Sequence, residues 1–193
     1  MKKIRYILYL FLFLILIFLD QLSKILVLKK LKQSINVVPK ILNFTYVENR
    51  GVAFGFLQNK DIVIVILALI IITVILFLSV KIEKHLICAD NKKKFYLIQI
   101  LFIFISSGAI SNMADRLRLG FVVDFLEFDF IEFPVFNIAD CYVVVATFIL
   151  MIVFTFFISD KELDRQDQHR DEQEAENGEE PGLRGVHEHG HVA

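Results

Sequence analysis

Four apolar runs divide the chain: Tyr6–Leu19, continuing more weakly through Ile25–Leu28, then Ile62–Val80, Phe95–Met113 and Cys141–Ser159. Each of the last three is 19 residues long, close to the roughly 20 that a helix needs to cross about 30 Å of hydrocarbon. This spacing predicts a membrane protein, mainly α, with four transmembrane helices. An even number of spans puts both termini on one side.

The stretches between the spans carry a different pattern. Ile35–Val38 and Leu42–Val47 are rich in β-branched and aromatic residues and are separated by Pro39-Lys40, which predicts two short strands after the first span. After the third span, Phe125–Phe130 alternates in part, with Glu127 and Asp129 on one face and Phe128 and Phe130 on the other. Both loops fall on the same side of the membrane, so a small β-rich extracytoplasmic cradle is expected from the loops after helices 1 and 3.

Met1-Lys2-Lys3-Ile4-Arg5 before an apolar run is also how a secretory signal peptide begins. No small-residue cleavage site follows, and Asp20–Lys24 leads back into apolar sequence, so the first run reads as an uncleaved span with a cytoplasmic amino terminus. The charge bias is mixed. Lys81, Lys84, Lys92, Lys93 and Lys94 crowd the short second loop, as inside loops do, yet the longer first loop from Lys24 to Lys60 holds seven Lys or Arg.

Composition agrees with a membrane class. Of 193 residues, 56% are hydrophobic, 20 are Phe and none is Trp, and the mean hydropathy is +0.60, which does not suit a soluble domain. The net charge of -1 hides an acidic end and gives no indication of nucleic acid as a partner. From Asp160 onward the chain is Glu, Asp, Gln, Gly and His with scarcely an apolar cluster, too polar to offset the entropy of ordering. Residues 1–159 are therefore expected to form the four-helix domain, and 160–193 a disordered cytoplasmic tail. His187, His189 and His191 in that tail offer at most a weak chelate. Cys88 and Cys141 fall at opposite ends of their helices, too far apart for a disulfide.

The candidate chemistry lies in carboxylates at the span edges. Asp124, in Val122-Val123-Asp124-Phe125, and Asp140, in Phe136-Asn137-Ile138-Ala139-Asp140, border the third and fourth spans, whose outer ends are neighbours if the connection is short. Ionisable groups at membrane depth are costly and mark function. Two carboxylates sharing a site cannot both ionise cheaply, so one keeps a proton and serves as acid while the other takes a proton from water. That arrangement suffices to hydrolyse a peptide bond. Asn112, Arg116 and Asn137 stand nearby as donors able to orient carboxylates or receive carbonyl oxygens. The adjacent Asp115 and Arg116 are equally suited to anchoring a helix end at the interface. Asp20 and Lys24, at i and i+4, share a helix face and read as a structural ion pair. Asn49–Phe56 carries Gly51 and Gly55. It reads either as a loop whose Asn49 bonds an extended peptide or as a plain turn.

No zinc pattern, Gly-x-Ser-x-Gly or P-loop appears, and no His lies near Ser23, Ser107 or Ser111 to act as base. The residues alone leave three readings open: an aspartyl peptidase, a proton or ion pathway, and a non-enzymatic assembly factor. Four spans without a repeat and acids confined to one end speak against the pathway.

Five motifs in order, Asp20-Gln21-Leu22-Ser23-Lys24, Asn49–Gly55, Asn112-Met113-Ala114-Asp115-Arg116, Val122–Phe125 and Phe136–Asp140, resemble those of lipoprotein signal peptidase, the signal peptidase II family of bacterial membrane aspartyl proteases. The likeness covers most of residues 1 to 158. It implies that Asp124 and Asp140 are the catalytic dyad, supported by Asn49, Gly51, Asn112, Arg116 and Asn137, with Asp20, Lys24 and Asp115 as structural charges. It also implies a β cradle with a mobile flap and an outward-facing site in the bacterial inner membrane, with both termini cytoplasmic. The substrates implied are prolipoprotein signal peptides carrying a diacylglyceryl cysteine, cut just before that cysteine. Membrane lipid is the surrounding partner, a monomer is expected, and no metal or other cofactor is implied. Ser111 stands where the family commonly has Gly, and Cys141 where it has a small residue such as Ser. The tail lies outside the resemblance.

Overall fold

The computed structural model describes residues 2–51, 57, 58, 60–88 and 92–155. All four expected spans are helical: α1 (Lys2–Lys30), α2 (Asp61–Cys88), α3 (Lys92–Leu119) and α4 (Ile138–Thr155). The first three run past their apolar cores into charged flanks. Backbone bonding continues there because Lys and Glu are good helix formers. The fourth begins three residues before the apolar run, for a reason that belongs to the site.

The loops supply three strands, β1 (Ile35–Val38), β2 (Leu42–Asn49) and β3 (Val122–Phe128), in one antiparallel sheet of order β1-β2-β3. The loop after α1 and the loop after α3 thus meet, as their common side required. β1 and β2 join through a tight turn closed by Ile41 N donating to Val38 O at 3.0 Å. Pro39 fixes one turn dihedral, and Lys40 takes the left-handed φ of 62°. β3 starts earlier than its alternating pattern suggested and ends at Phe128, so Asp129 and Phe130 lie beyond it. Asp129 N still reaches Ile41 O at 3.1 Å and ties the loop to the hairpin.

The passage from α3 into β3 is short and sharp. Gly120 follows the helix with φ 77° and donates its N–H to Arg116 O at 3.0 Å, a glycine C-cap that frees the chain to turn. Val123 and Phe125 then pack on Val27 of α1, with Phe44, Tyr46 and Ile138 around them. This small core seats the sheet on the ends of α1 and α4.

α3 is the central helix, half covered by protein, whereas α2 is almost wholly exposed along its apolar length. Ser79 and Gln99 join the two, Ser79 Oγ donating to Gln99 Oε1 at 2.6 Å and Gln99 Nε2 to Ser79 O at 3.1 Å. Such reciprocal bonding removes the cost of two polar groups in lipid. Against α4, α3 presents Gly108. A Cβ built there would stand 2.7 Å from both Ala139 O and Val143 Cγ2, so only glycine permits this approach. Residues Met1–Leu150 form one unit, and of the second, Met151–Ala193, the described part is the helical Met151–Thr155. The boundary expected near residue 160, the tail and its histidines lie outside the described residues, as do positions 52–56 of the Asn49–Phe56 loop.

Candidate active site

Asp124 sits on β3 with 1% of its surface exposed. Val47 of β2 lies directly opposite, and Asn49, two residues along, reaches it diagonally, Nδ2 donating to Asp124 Oδ2 at 2.8 Å. Asn49 is itself fixed, because its Oδ1 accepts from Gly51 N at 2.9 Å in a local turn.

Asp140 arrives from the other direction. Phe136 pairs with β3, its O accepting from Phe125 N and Leu126 N at 2.9 and 2.8 Å and its N donating to Leu126 O at 3.0 Å. This strap delivers Asn137 beside Asp124. Asn137 then caps α4: its Oδ1 accepts from Asp140 N at 3.0 Å, while its own N–H donates to Asp140 Oδ2 at 3.1 Å. A reciprocal box of this kind satisfies two otherwise orphaned donors and starts the helix at Ile138. Asp140 therefore lies within the first turn of α4, where the apolar run alone had placed it ahead of the helix.

One side chain links the two acids, since Asn137 Nδ2 donates to Asp124 Oδ1 at 2.6 Å. Asn112, on α3, donates Nδ2 to Asp140 Oδ1 at 2.8 Å. Among the described residues, the side-chain donors to the two carboxylates are thus the neutral amides of Asn49, Asn112 and Asn137. Burial and the neighbouring Asp140 carboxylate push the Asp124 carboxyl up to about 6, against the opposing pull of the Asn49 and Asn137 amides.

Beside the pair lies a second cluster. Lys24, 1% exposed, donates to Asn112 Oδ1 at 2.7 Å and forms an ion pair with Asp20 Oδ2 at 2.8 Å. It also stands 2.9 Å from Asp115 Oδ2, an ion pair without an aligned hydrogen bond. Asp20 further accepts from Ser111 Oγ at 2.7 Å and from Ala139 N at 2.8 Å, so α1 bonds both α3 and the first turn of α4. Gln21 completes the cluster, its Nε2 donating to Asp115 Oδ1 at 2.8 Å. Where the spacing suggested a single Asp20–Lys24 pair, the structure has a cluster that joins α1 to α3 and to the first turn of α4 and includes Asp115. Ser111, where the family commonly has Gly, is one of its members.

Arg116 lies close to the acids but takes other partners. Its guanidinium holds Gly51 O and, at 2.9 Å, Asp61 Oδ1, rather than Asp124 or Asp140. It fastens the Asn49–Gly51 loop and the start of α2 instead. Asp61 was not legible as a partner, its one signal being an acidic residue in the first turn of a helix.

Asp124, Asp140, Asn49, Gly51, Asn112 and Arg116 all line a cavity of about 840 Å³, whose walls include Ile64, Val65 and Ala68 of α2, Ala109 and Met113 of α3, and Val143 of α4. Cys141 also lines it as a free thiol. Buried acids at one end of a mostly apolar trough suit a substrate with an apolar body and one polar bond to be attacked.

A family model described as Signal peptidase (SPase) II matches residues 12–157. The chain belongs to the signal peptidase II family. It is an enzyme of that type, an aspartic endopeptidase, and a multi-pass membrane protein. A lipoprotein signal peptidase of Clostridioides difficile is 43% identical over 155 residues, which span 79% of this chain and 97% of that protein. One from Fusobacterium nucleatum is 41% identical over 151 residues, 77% of this chain and 87% of the relative. A solved bacterial membrane enzyme superposes with a TM-score of 0.68 at 26% identity, covering 79% of this chain and 90% of the other. For a signal peptidase II, the five ordered motifs resolve spatially into an amide-held pair of acids, an ion-paired cluster behind it and the Arg116 clamp.

Proposed function

We propose that this enzyme removes signal peptides from prolipoproteins that carry a diacylglyceryl cysteine, cutting the bond just before that cysteine, with Asp124 and Asp140 as the catalytic dyad. The observation that carries this reading is the joining of the two acids through Asn137 at the polar end of an apolar cavity. Amide donors orient both carboxylates without supplying a positive charge, so the pair can hold a single proton between them. The ionised partner takes a proton from a water as its oxygen bonds to the scissile carbonyl carbon. The protonated partner gives its proton to the carbonyl oxygen. Collapse of the resulting gem-diol returns a proton to the departing amine and breaks the C–N bond.

In this reading the helical signal segment and the acyl chains lie against α2, α3 and α4. The enzyme acts as a monomer in the bacterial cell membrane, with both termini cytoplasmic and the sheet and dyad at the outer face. The test uses purified full-length protein and two forms of one precursor, with and without the diacylglyceryl group, and mass spectrometry of the products. Cleavage of the lipidated form alone, with a new amino terminus at the modified cysteine, is the expected result. Equal cleavage of the unlipidated form would refute the lipid requirement.

A further inference from the structure

The three amides around the dyad share a logic that points to a residue outside it. An asparagine offers an acceptor at one end of its amide and donors at the other, so whatever claims the oxygen decides where the NH₂ points. Asn49 Oδ1 is claimed by Gly51 N and Asn137 Oδ1 by Asp140 N, both backbone donors that no side-chain rotation can remove. Asn112 has no such backbone partner. Its oxygen is held by Lys24 Nζ at 2.7 Å and, more distantly, by Asn137 Nδ2 at 3.2 Å. Lysine has donors only, so it obliges Asn112 to turn its NH₂ toward Asp140 Oδ1, which it meets at 2.8 Å.

We propose that Lys24 is a positioning residue for the dyad, setting the donor face of Asn112 against Asp140 and so keeping that carboxylate in its acceptor state. The proposal rests on the dyad reading above. Asp20 and Asp115 help to place the ammonium, their Oδ2 atoms lying 2.8 and 2.9 Å from Nζ while Asn112 Oδ1 accepts from it at 2.7 Å. The groups bearing on Asp140 are Asp20 and Lys24 from α1, Asn112 from α3, Asp124 from β3, Asn137 just before α4 and Cys141 next to it on α4. Lys24 is the cation among them. Without it, Asn112 is free to present Oδ1 to Asp140, a contact that needs a proton on the carboxyl.

The test is Lys24→Met, with Asn112→Ala and the double variant, assayed for kcat, KM and pH profile on a lipidated precursor. Lys24→Met should lower kcat about a hundredfold with KM little changed, and the pH–rate profile should move to higher pH. Because both residues act on Asp140 through one amide, the double variant should be no slower than the worse single one. Lys24→Arg, which keeps charge and donors, should restore the profile in large part. If Lys24→Met fails to fold, the neutralised variant Asp20→Asn, Lys24→Met, Asp115→Asn replaces it, with the same shift expected. A wild-type kcat and profile, or a loss additive with Asn112→Ala and without a shift in pH, would overturn the proposal. Asp140→Asn run in parallel separates the two readings. If it is inactive while the Lys24 variant is normal, only the positioning role fails. If Asp140→Asn is itself active, the dyad reading fails first.

Discussion

Two groups of buried acids lie side by side in this protein, and their partners differ in kind. Asp20 and Asp115 meet a lysine ammonium, whereas Asp124 and Asp140 meet asparagine amides and, for Asp140, a backbone N–H. A lysine ammonium set between two carboxylates ties together the helices that carry them. Neutral donors fix geometry while leaving the proton free to come and go. The first group is therefore suited to holding helices together and the second to chemistry, although all four residue types are the same.

The comparison can be broken at its structural side first. Asp20→Ala leaves Lys24 short of an anion and Ala139 N without its acceptor, and breaking such a buried pair costs about 3–5 kcal/mol. Unfolding of the purified protein in detergent measures this, and a loss below about 1 kcal/mol would show that the cluster does not clamp the helices.

The chemical side predicts a pH effect of opposite sense to that of an ion-paired acid. Asp124 titrates near 6 in the folded protein, against about 3.9 in an unfolded chain. The folded state thus binds the extra proton between these values. Its contribution to stability is complete below about 3.9 and is lost as pH rises through about 6, amounting to roughly 3 kcal/mol at most. Comparing thermal unfolding of wild type and Asp124→Asn across this window isolates it. The wild type should lose stability relative to the variant as pH rises, and parallel curves would refute the assignment.

A smaller effect comes from the contact that brings the two groups together. Gly108→Ala places a methyl against Ala139 O and Val143 Cγ2, and relieving it moves the first turn of α4, at about 1–3 kcal/mol. Activity per folded molecule should fall as well, because Asp140 is the next residue. Unchanged activity would mean that the dyad tolerates displacement of α4.

Much of this architecture is legible in the chain. Apolar run length predicts the four spans, β-branched segments the first two strands, and the span-edge aspartates Asp124 and Asp140 prove to line one cavity. Residue-level partnerships were less accessible, for identifiable reasons. Asn137 and Asp140 form a capping box that moves the helix start to Ile138, but an apolar run records where a helix must avoid water and not where its backbone bonding begins. Arg116 sits among the motif residues yet serves Gly51 and Asp61, because a guanidinium takes whichever acceptors the loop presents. Lys24 looked like one half of an i, i+4 pair with Asp20. Its contacts with Asn112 and Asp115 depend on how α1 crosses α3, which periodicity does not encode. The third strand was placed late because Val122–Phe125 is buried on both faces and so shows no alternation.

The central claim is that Asp124 and Asp140 perform the chemistry, and it is tested most directly by cleavage of a lipidated precursor with purified Asp124→Asn and Asp140→Asn proteins, matched for folded material. Each substitution keeps the shape of the side chain and removes its ability to exchange a proton. Both variants should retain the membrane fold and lose activity by about a thousandfold or more. Cleavage by either within about tenfold of the wild-type rate would contradict the dyad.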